Sequence, residues 1–139
     1  MDHVAILAKK RKLLQKIISG EKTIESRWYK FRKAPYRSIA VGDVVYFKDS
    51  GDPVIVKARV ADVLFFAELD REIFDSIISE YGSRICIDSS FWNSVKDKKL
   101  CTLIFLKDVE TIEPFNIDKK GFGMMVAWLS VDSIDKIKI

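Results

Sequence analysis

The sequence predicts an α+β fold in which a small β-barrel of about five to six strands is flanked by two or three helices. Short segments rich in β-branched and aromatic residues alternate with tight turns, a pattern typical of a small barrel. Two other segments carry apolar residues at helical spacing. With 139 residues, 48% of them apolar, the chain can bury one substantial core. We therefore expect a single domain that covers residues 1–139.

The first part of the chain is predicted to form a strand, a helix and a second strand. Residues 3–8 are an apolar strand. Residues 9–19 show helical spacing, and Gly20 stands where a helix end needs a residue that tolerates positive φ. Residues 23–28 then alternate as a strand does. The apolar stripe of this helix consists of Leu13, Leu14, Ile17 and Ile18.

Two further strands follow, and a tight turn joins them. Residues 44–48 are β-branched and aromatic, and residues 49–53 hold the turn formers of a hairpin connection. The next strand is long and covers residues 54–66. Its far end loses the alternation, so we expect that end to be bent or buried on both faces. A meander of this kind favours a barrel.

A second helix is predicted in the middle of the chain. Asp70 is a good capping residue for its first turn, the helix runs to about Tyr81, and Gly82 ends it. Phe91 and Trp92 follow in a short helical turn. Since large aromatic side chains are most often buried, we expect these two to close the core rather than to bind a ligand.

The last part of the chain supplies the remaining strands. Residues 100–106 are the most apolar segment, which predicts a central strand. This strand continues towards residues 111–113, and Pro114 ends it. Residues 119–123 predict a flexible basic loop, whose two glycines would let the backbone approach a ligand. Residues 124–131 predict the last barrel strand.

The composition argues against several classes of protein for this chain. The sequence lacks the roughly 20-residue apolar run of a membrane helix, and its first residues lack the basic region of a signal peptide. Cys86 and Cys101 lack the spacing of metal ligands, and Cys101 is expected to be a buried thiol. We expect a cytoplasmic protein without a metal, a cofactor or a membrane contact.

Charge is distributed unevenly along the chain. Residues 1–40 hold eleven Lys or Arg and three acidic residues, which gives a net charge of +8. Residues 41–139 hold thirteen Lys or Arg and seventeen acidic residues, which gives −4. This asymmetry indicates an anionic partner, with nucleic acid as the first candidate, although charge runs also occur on solvated helix faces.

One short stretch, from Gly20 to Arg27, places ionisable side chains where the first helix ends and the second strand begins. Glu25 and Arg27 are two residues apart and point to the same face of a strand. Lys22 lies at the start of that strand. The three side chains form either a small polar site or a loose ion pair on a solvated face, which would be worth less than about 1 kcal/mol.

The spacing Gly-x-Lys-x-x-Glu-x-Arg resembles the signature of the ASCH domain family, which lies in the PUA-like superfamily. The pattern is complete here as Gly20, Lys22, Glu25 and Arg27. The resemblance implies a PUA-like β-barrel flanked by helices, with the three ionisable residues in a cleft between them. It covers nearly the whole chain, because similarity continues at Trp28, residues 42–51, Phe91, Trp92 and Trp128.

Residues 29–37 interleave aromatic with basic side chains. Aromatic rings can stack on the bases of a single-stranded nucleic acid while basic side chains neutralise its phosphates. The same aromatic residues can instead fold back onto the core, and the sequence leaves both interpretations open. The basic residues of this loop are Lys30, Arg32, Lys33 and Arg37.

The residue inventory restricts the chemistry. His3 is the only histidine, so the sequence gives no support for a Ser-His or Cys-His pair or for a histidine-rich metal site. A lysine beside a carboxylate, Lys22 with Glu25, can transfer protons if burial lowers the lysine pKa. Because a neighbouring carboxylate raises the pKa of a lysine, we expect binding rather than catalysis here.

The family resemblance adds two precedents for activity. Some small bacterial ASCH proteins are amidohydrolases that remove the acetyl group from N4-acetylcytidine with a Lys-Thr-Glu constellation. The lysine matches Lys22, whereas Glu25 stands where the threonine would be. The more distant glutamate stays open among Glu68, Glu72 and Glu80. Other members resemble RNA-binding modules, and some are linked to RNA cleavage.

We therefore expect a protein that binds RNA or a nucleotide. The alternatives are a hydrolase that acts on a modified nucleoside or on RNA, and a protein-interaction adaptor. Lys22, Glu25 and Arg27 would form the ligand site, joined by Lys48 and Ser50 if their hairpin folds over it; Lys22 and Glu25 would be catalytic in an enzyme. Replacing Lys22 or Arg27 by alanine is expected to weaken binding and leave the Tm nearly unchanged. Attraction of phosphate is assigned to Lys9, Lys12, Lys16, Lys30, Arg32, Lys33 and Arg37.

Overall fold

Six strands form one curled, half-barrel sheet in a computed structural model that describes residues 1–123 and 125–139. The strand order is β2-β5-β4-β3-β1-β6. The strands are β1 (Asp2–Leu7), β2 (Ile24–Tyr29), β3 (Val44–Asp49), β4 (Val54–Phe66), β5 (Leu100–Phe115) and β6 (Trp128–Val131). The predicted α+β class, with six strands and flanking helices, is confirmed.

The order of the strands leaves an open seam in the half-barrel. Strand β1 pairs with β3 in parallel and with β6 antiparallel, and the remaining pairs are antiparallel. β2 and β6 are the two edges of the sheet. A sheet edge exposes backbone groups that need partners, so the edges are the places where side chains or ligands can complete the structure.

Three helices accompany the sheet: α1 (Leu13–Ser19), α2 (Arg71–Ile85) and α3 (Trp92–Val95). The prediction of one helix over residues 9–19 was wrong in its first half. Residues Lys9–Arg11 form a 3₁₀ turn, and Lys12 adopts a left-handed conformation (φ 57°) that separates this turn from α1. Gly20 ends α1 at φ 84°, as predicted. Among the described residues, none of the helices has the length and apolar character needed to cross a membrane.

Helix α2 begins as predicted and ends later than predicted. The Asp70 carboxylate accepts a hydrogen bond of 2.8 Å from the backbone N–H of Ile73. Gly82 does not end the helix; it lies inside it, where a Cβ atom would meet the carbonyl oxygen of Ile87 at 3.0 Å. The glycine therefore permits close packing, and Cys86 ends the helix in a left-handed conformation (φ 68°).

Two strand boundaries also differ from the prediction. Pro114 does not end β5, because the register with β4 shifts between the pairs Val54–Phe115 and Val56–Thr111 and leaves the proline in an irregular part of the ladder. The last strand was predicted over residues 124–131, but β6 begins at Trp128 and residues 125–127 lie outside it. Met124 lies outside the described residues.

The core has two main parts on opposite faces of the sheet. On β5, Ile104 packs with α1, whereas its neighbour Leu103 packs with α2. Glu25 pairs with Ile104 across the β2–β5 ladder and so faces the α1 side. Cys101 is fully buried as a free thiol, as predicted. Glu25 and Arg27, two residues apart on β2, consequently point to the α1 side of the sheet, towards the seam.

Candidate functional site

A single guanidinium group bridges the seam. Arg27 lies on the edge strand β2, and its Nη1 donates a hydrogen bond of 3.2 Å to the carbonyl oxygen of Ala127, directly before β6. Its Nη2 donates to the carbonyl oxygen of Ile6 on β1 over 3.4 Å. The guanidinium carbon also lies 5.2 Å from the ring centroid of Trp128, a cation–π distance. Arg27 thus ties one edge of the sheet to the other.

A pocket of about 470 Å³ opens beside Arg27, and we call it the seam pocket. Its volume lies within the roughly 300–1,000 Å³ of small-molecule sites. Apolar residues, among them Ile6, Leu7, Leu13 and Val126, provide much of its wall. Its polar side chains are Arg11, Glu25, Arg27, Ser50 and Lys119. The pocket therefore combines an apolar surface with three cationic groups and one carboxylate.

Glu25 lies at the base of the seam pocket and is only 3% exposed. Its Oε2 accepts a hydrogen bond of 3.0 Å from Arg27, and its Oε1 accepts one of 3.0 Å from the backbone N–H of Ser26. Burial alone raises the pKa of this carboxyl, but Arg27, Lys22 and the hydrogen bonds outweigh burial and hold the pKa below its ordinary value. Glu25 is therefore ionised, and a loose pair on a solvated face was the wrong interpretation.

Lys22 is buried behind Glu25 and is 2% exposed. Its Nζ donates to the carbonyl oxygens of Ile24 (2.9 Å) and Ile85 (2.7 Å) and lies 3.5 Å from Glu25 Oε1. Burial lowers the pKa of Lys22 more than the attraction of Glu25 raises it. Glu25 does act to raise this pKa, as expected, but the net change is downward because desolvation is the larger effect. In the described structure, Lys22 is not among the residues that line the seam pocket.

The hairpin after β3 reaches the site with only one of its two predicted residues. Ser50 lines the seam pocket, and its backbone N–H donates to the carbonyl oxygen of Leu7 over 2.9 Å. Lys48 is 9% exposed and is not among the residues that line the pocket as described. Burial, together with the nearby Lys119, lowers the pKa of Lys48. The fold therefore brings Ser50 to the described pocket lining and leaves Lys48 outside it.

The basic side chains assigned to phosphate attraction differ in their surroundings. Lys9 forms an ion pair of 2.9 Å with Asp52, and Lys30 forms one of 3.3 Å with Asp97. Lys12 is exposed and Lys16 is half-buried, and neither contributes to the described lining of the seam pocket. Lys33, Arg32 and Arg37 are exposed on the loop after β2.

The aromatic residues of that loop divide into two groups. Tyr29 and Tyr36 are buried and pack edge to face, with 6.1 Å between ring centroids. Arg32 and Arg37 lie over the ring of Tyr36, at 5.8 and 5.7 Å. The ring of Phe31, in contrast, is 78% exposed. Tyr29 and Tyr36 therefore fold back onto the core, and of the three aromatic residues of the loop only Phe31 leaves its ring open to solvent.

Sequence reasoning missed two cationic residues of the seam pocket. Arg11 lies in the basic segment before α1, where only lysines were assigned a role. Lys119 belongs to the loop predicted to approach a ligand, but no residue of that loop was assigned to the site. The sequence gave only weak signals that these two residues reach a ligand site: helical spacing around Arg11 and two glycines near Lys119. The contact of Lys119 with the pocket depends on a fold that brings the two ends of the chain together.

His3 also has partners that the sequence did not indicate. Its Nδ1 lies 2.8 Å from Ser130 Oγ, and its Nε2 lies 2.8 Å from Asp43 Oδ2. The side chain is completely buried, and burial lowers its pKa. Trp128 Nε1 donates to Ser130 Oγ over 3.2 Å. This buried network orients Trp128, whose ring in turn lies against Arg27.

The candidates for a distant catalytic glutamate lie elsewhere. Glu68, Glu72 and Glu80 are all exposed, and none contributes to the described lining of the seam pocket. Within the described residues, no group of three or more His, Cys, Asp and Glu side chains is arranged to hold a metal ion. Of the four glutamates considered in the sequence, only Glu25 is therefore part of the described pocket lining.

Comparison with solved structures identifies the class of fold. ASCH from Zymomonas mobilis superposes with a TM-score of 0.71 over 97% of this chain and 90% of that one, at 19% sequence identity. A single-substitution variant of that protein gives the same TM-score over 93% of its length. A protein described as hypothetical is similar at a TM-score of 0.52 and 18% identity, over 81% of this chain and all of that one.

The chain therefore has an ASCH-domain fold, as the motif led us to expect. No family model matches the sequence, and no curated protein matches it. At identities below one fifth, the similarity establishes the fold and leaves the ligand to be argued from the site.

Proposed function

We propose that this protein binds RNA or a nucleotide in the seam pocket, with Arg27 as the contact for a phosphate or another anionic group. The observation that carries the proposal is the fixed position of the Arg27 guanidinium at the pocket. Glu25, two backbone carbonyl oxygens and the Trp128 ring hold it in place. A guanidinium that is fixed before the ligand arrives loses little freedom on binding.

The charge of the pocket supports an anionic ligand. Glu25 is the only acidic side chain in the described lining, and Arg27 and Lys22 already neutralise it. Arg11 and Lys119 add positive charge at the same pocket. The remaining positive potential attracts phosphate, while residues 1–40, with a net charge of +8, provide longer-range attraction.

The apolar wall supports a ligand that also carries a flat, weakly polar part. Leu7, Leu13 and Val126 line the pocket beside the cationic groups. A nucleobase has an apolar face and a polar edge, whereas the attached phosphate is charged. The combination of surfaces in one pocket of about 470 Å³ matches a nucleotide unit better than a free inorganic anion.

A hydrolase acting on a modified nucleoside or on RNA is a second candidate, and one observation favours it. Burial lowers the pKa of Lys22, which brings the amine closer to a form that can act as a base. Two carbonyl oxygens and Glu25 occupy the surroundings of its Nζ, however, and the side chain is 2% exposed. We therefore assign Lys22 first to holding Glu25 and the end of α2, and only in this second candidate to catalysis together with Glu25.

Fluorescence titration with a short single-stranded RNA at low and moderate salt tests the proposal, because Trp128 lies against Arg27 and reports on the pocket. We expect a saturable change in fluorescence that weakens as salt increases. A protein that responds to neither RNA nor mononucleotides at low salt would contradict the proposal and would favour an adaptor that binds proteins. Release of product from an acetylated nucleoside or from RNA over many turnovers would favour the hydrolase.

A further inference from the structure

Three depressions lie next to one another along the surface, and each shares lining residues with the next. The seam pocket shares Arg27, Val126 and Ala127 with a second depression of about 370 Å³, which Lys33 and Trp128 also line. The second depression shares Trp28, Tyr29 and Lys33 with a third, of about 220 Å³. We call this series the groove. It leads from the seam to the loop after β2.

The third depression combines an exposed aromatic ring with basic side chains. Phe31 lines it and is 78% exposed, whereas the neighbouring Tyr29 and Tyr36 are buried. Lys33 and Lys98 line the same depression. A lone exposed phenylalanine is common on protein surfaces and carries no meaning by itself. Here the ring lies at one end of a groove that also contains a fixed guanidinium, at the point where the first two depressions meet, and this guanidinium is a second, independent observation.

We propose that the groove holds a single-stranded RNA of about four or more nucleotides, with a base stacked on Phe31 and a phosphate near Arg27. This inference rests on the proposed function and adds the class of ligand. Single-strand sites on OB folds, another class of small β-barrel, hold about 4–16 nucleotides, so four nucleotides is the lower length that we expect the groove to hold.

The arrangement selects a single strand rather than a duplex. Stacking on Phe31 requires a base with a free face, and the bases of a duplex cover each other's faces. Lys33 lines two of the three depressions and lies between the two ends, where the phosphates of the strand would pass. Aromatic stacking with backbone neutralisation is a sequence-tolerant mode of binding, so we infer little preference among bases.

The test compares adenosine monophosphate with oligoadenylates of two, four and eight nucleotides. We expect the affinity of the wild-type protein to rise with length up to about four nucleotides. Phe31→Ala should lower the affinity for the octamer by about five- to a hundredfold, the range measured for loss of one stacked base, and leave the affinity for the mononucleotide unchanged. Because Phe31 is exposed, the variant should keep the unfolding midpoint of the wild type.

Matched variants distinguish stacking on the aromatic face of Phe31 from simple apolar contact with its side chain. Phe31→Trp should retain octamer affinity, whereas Phe31→Leu, which keeps an apolar side chain without a ring face, should behave as Phe31→Ala does. Val41→Ala serves as a control, because Val41 is an exposed apolar residue that is not part of the described groove. Equal affinity of Phe31→Leu and the wild type for the octamer would overturn the stacking role.

The binding results distinguish an error in this inference from an error in the proposed function. If mononucleotide and octamer bind equally well and only Arg27 variants weaken them, the ligand occupies the seam pocket alone and the inference is overturned. If an eight-base-pair duplex binds as tightly as the single strand, the inference is overturned as well. If neither mononucleotide nor octamer binds at low salt, both the inference and the proposed function are wrong.

Discussion

Arg27 Nη1 donates a hydrogen bond of 3.2 Å to the carbonyl oxygen of Ala127, and this contact joins two residues that are 100 positions apart in the chain. It connects the edge strand β2 to the segment that enters the opposite edge strand, β6. The same guanidinium carries the hydrogen bond to Glu25. One side chain therefore takes part both in bridging the seam of the half-barrel and in the candidate site.

Lys22→Ala should destabilise the protein, contrary to what the sequence suggested. The substitution leaves the carbonyl oxygens of Ile24 and Ile85 without their lysine partner and leaves Glu25 with one cation fewer in a buried environment. Loss of one partner of a buried ion pair costs about 3–5 kcal/mol. Urea unfolding should show a loss of this size. Lys16→Ala, on the half-buried side of α1, serves as a control, and equal unfolding midpoints for the two variants would contradict the structural role of Lys22.

Stability should depend on pH through Glu25. The folded protein holds the pKa of Glu25 below its ordinary value of 4.5, so the folded state binds this proton less readily than the unfolded state does. The contribution of Glu25 is fully present above about pH 4.5 and is lost as the pH falls through the folded-state pKa. Glu25→Gln should be less stable than the wild type at pH 7, and the difference between them should shrink on acidification.

The measurement for this prediction is the free energy of unfolding of both proteins from pH 7 to pH 3. Other carboxylates also have lowered pKa values, among them Asp43, so only the difference between the two curves reports on Glu25. A difference that stays constant over this range would show that Glu25 does not titrate differently in the folded protein.

Ser130→Ala should disturb the orientation of Trp128 without unfolding the protein. Ser130 Oγ lies 2.8 Å from His3 Nδ1 and accepts a hydrogen bond from Trp128 Nε1. Removal of one such hydrogen bond costs about 1 kcal/mol. Because the Trp128 ring lies against Arg27, near-ultraviolet circular dichroism should change while the far-ultraviolet spectrum stays the same. An unchanged aromatic spectrum would mean that the network does not hold the ring.

The salt dependence of RNA binding should distinguish cations in the groove from cations elsewhere. Lys33 lines two depressions of the groove, whereas Lys9 is neutralised by Asp52 at 2.9 Å. Each phosphate neutralised on a single strand contributes about −0.7 to the slope of log K against log salt. Lys33→Ala should make the slope shallower by about this amount, and Lys9→Ala should leave it unchanged. A shallower slope for Lys9→Ala and an unchanged slope for Lys33→Ala would instead place the RNA beside the 3₁₀ turn Lys9–Arg11.

The sequence predicted the parts of the site that depend on neighbouring residues. Alternation in a strand was enough to place Glu25 and Arg27 on one face, and the motif resemblance was enough to predict the fold. The burial of Lys22 was not predictable, because it depends on the carbonyl oxygen of Ile85 at the end of α2, 63 residues away.

Other features depended on tertiary contacts in the same way. Glycine is common at helix ends, and Gly82 was therefore predicted to end α2. It lies inside the helix instead, because the carbonyl oxygen of Ile87 packs where a Cβ atom would be. Composition also gave no means of separating Phe31, which is exposed, from Tyr36, which is buried in the same loop. The packing of Tyr36 against Tyr29 and Phe65 distinguishes them.

The central claim is that the Arg27 guanidinium in the seam pocket contacts the ligand. The most direct test is the affinity of Arg27→Ala, Arg27→Lys and Arg59→Ala for a single-stranded RNA octamer, with the unfolding midpoint of each variant measured in parallel. Arg59 is an exposed arginine that does not contribute to the described lining of the seam pocket, so it controls for the loss of one positive charge.

We expect Arg27→Lys to remain folded and to bind at least tenfold more weakly, a difference of about 1.4 kcal/mol, because a lysine cannot hold both carbonyl oxygens and an anion as a guanidinium does. Arg27→Ala should bind more weakly still, and Arg59→Ala should bind as the wild type does. Wild-type affinity in folded Arg27→Lys and Arg27→Ala would contradict the account and would leave Arg27 with the structural role of closing the seam.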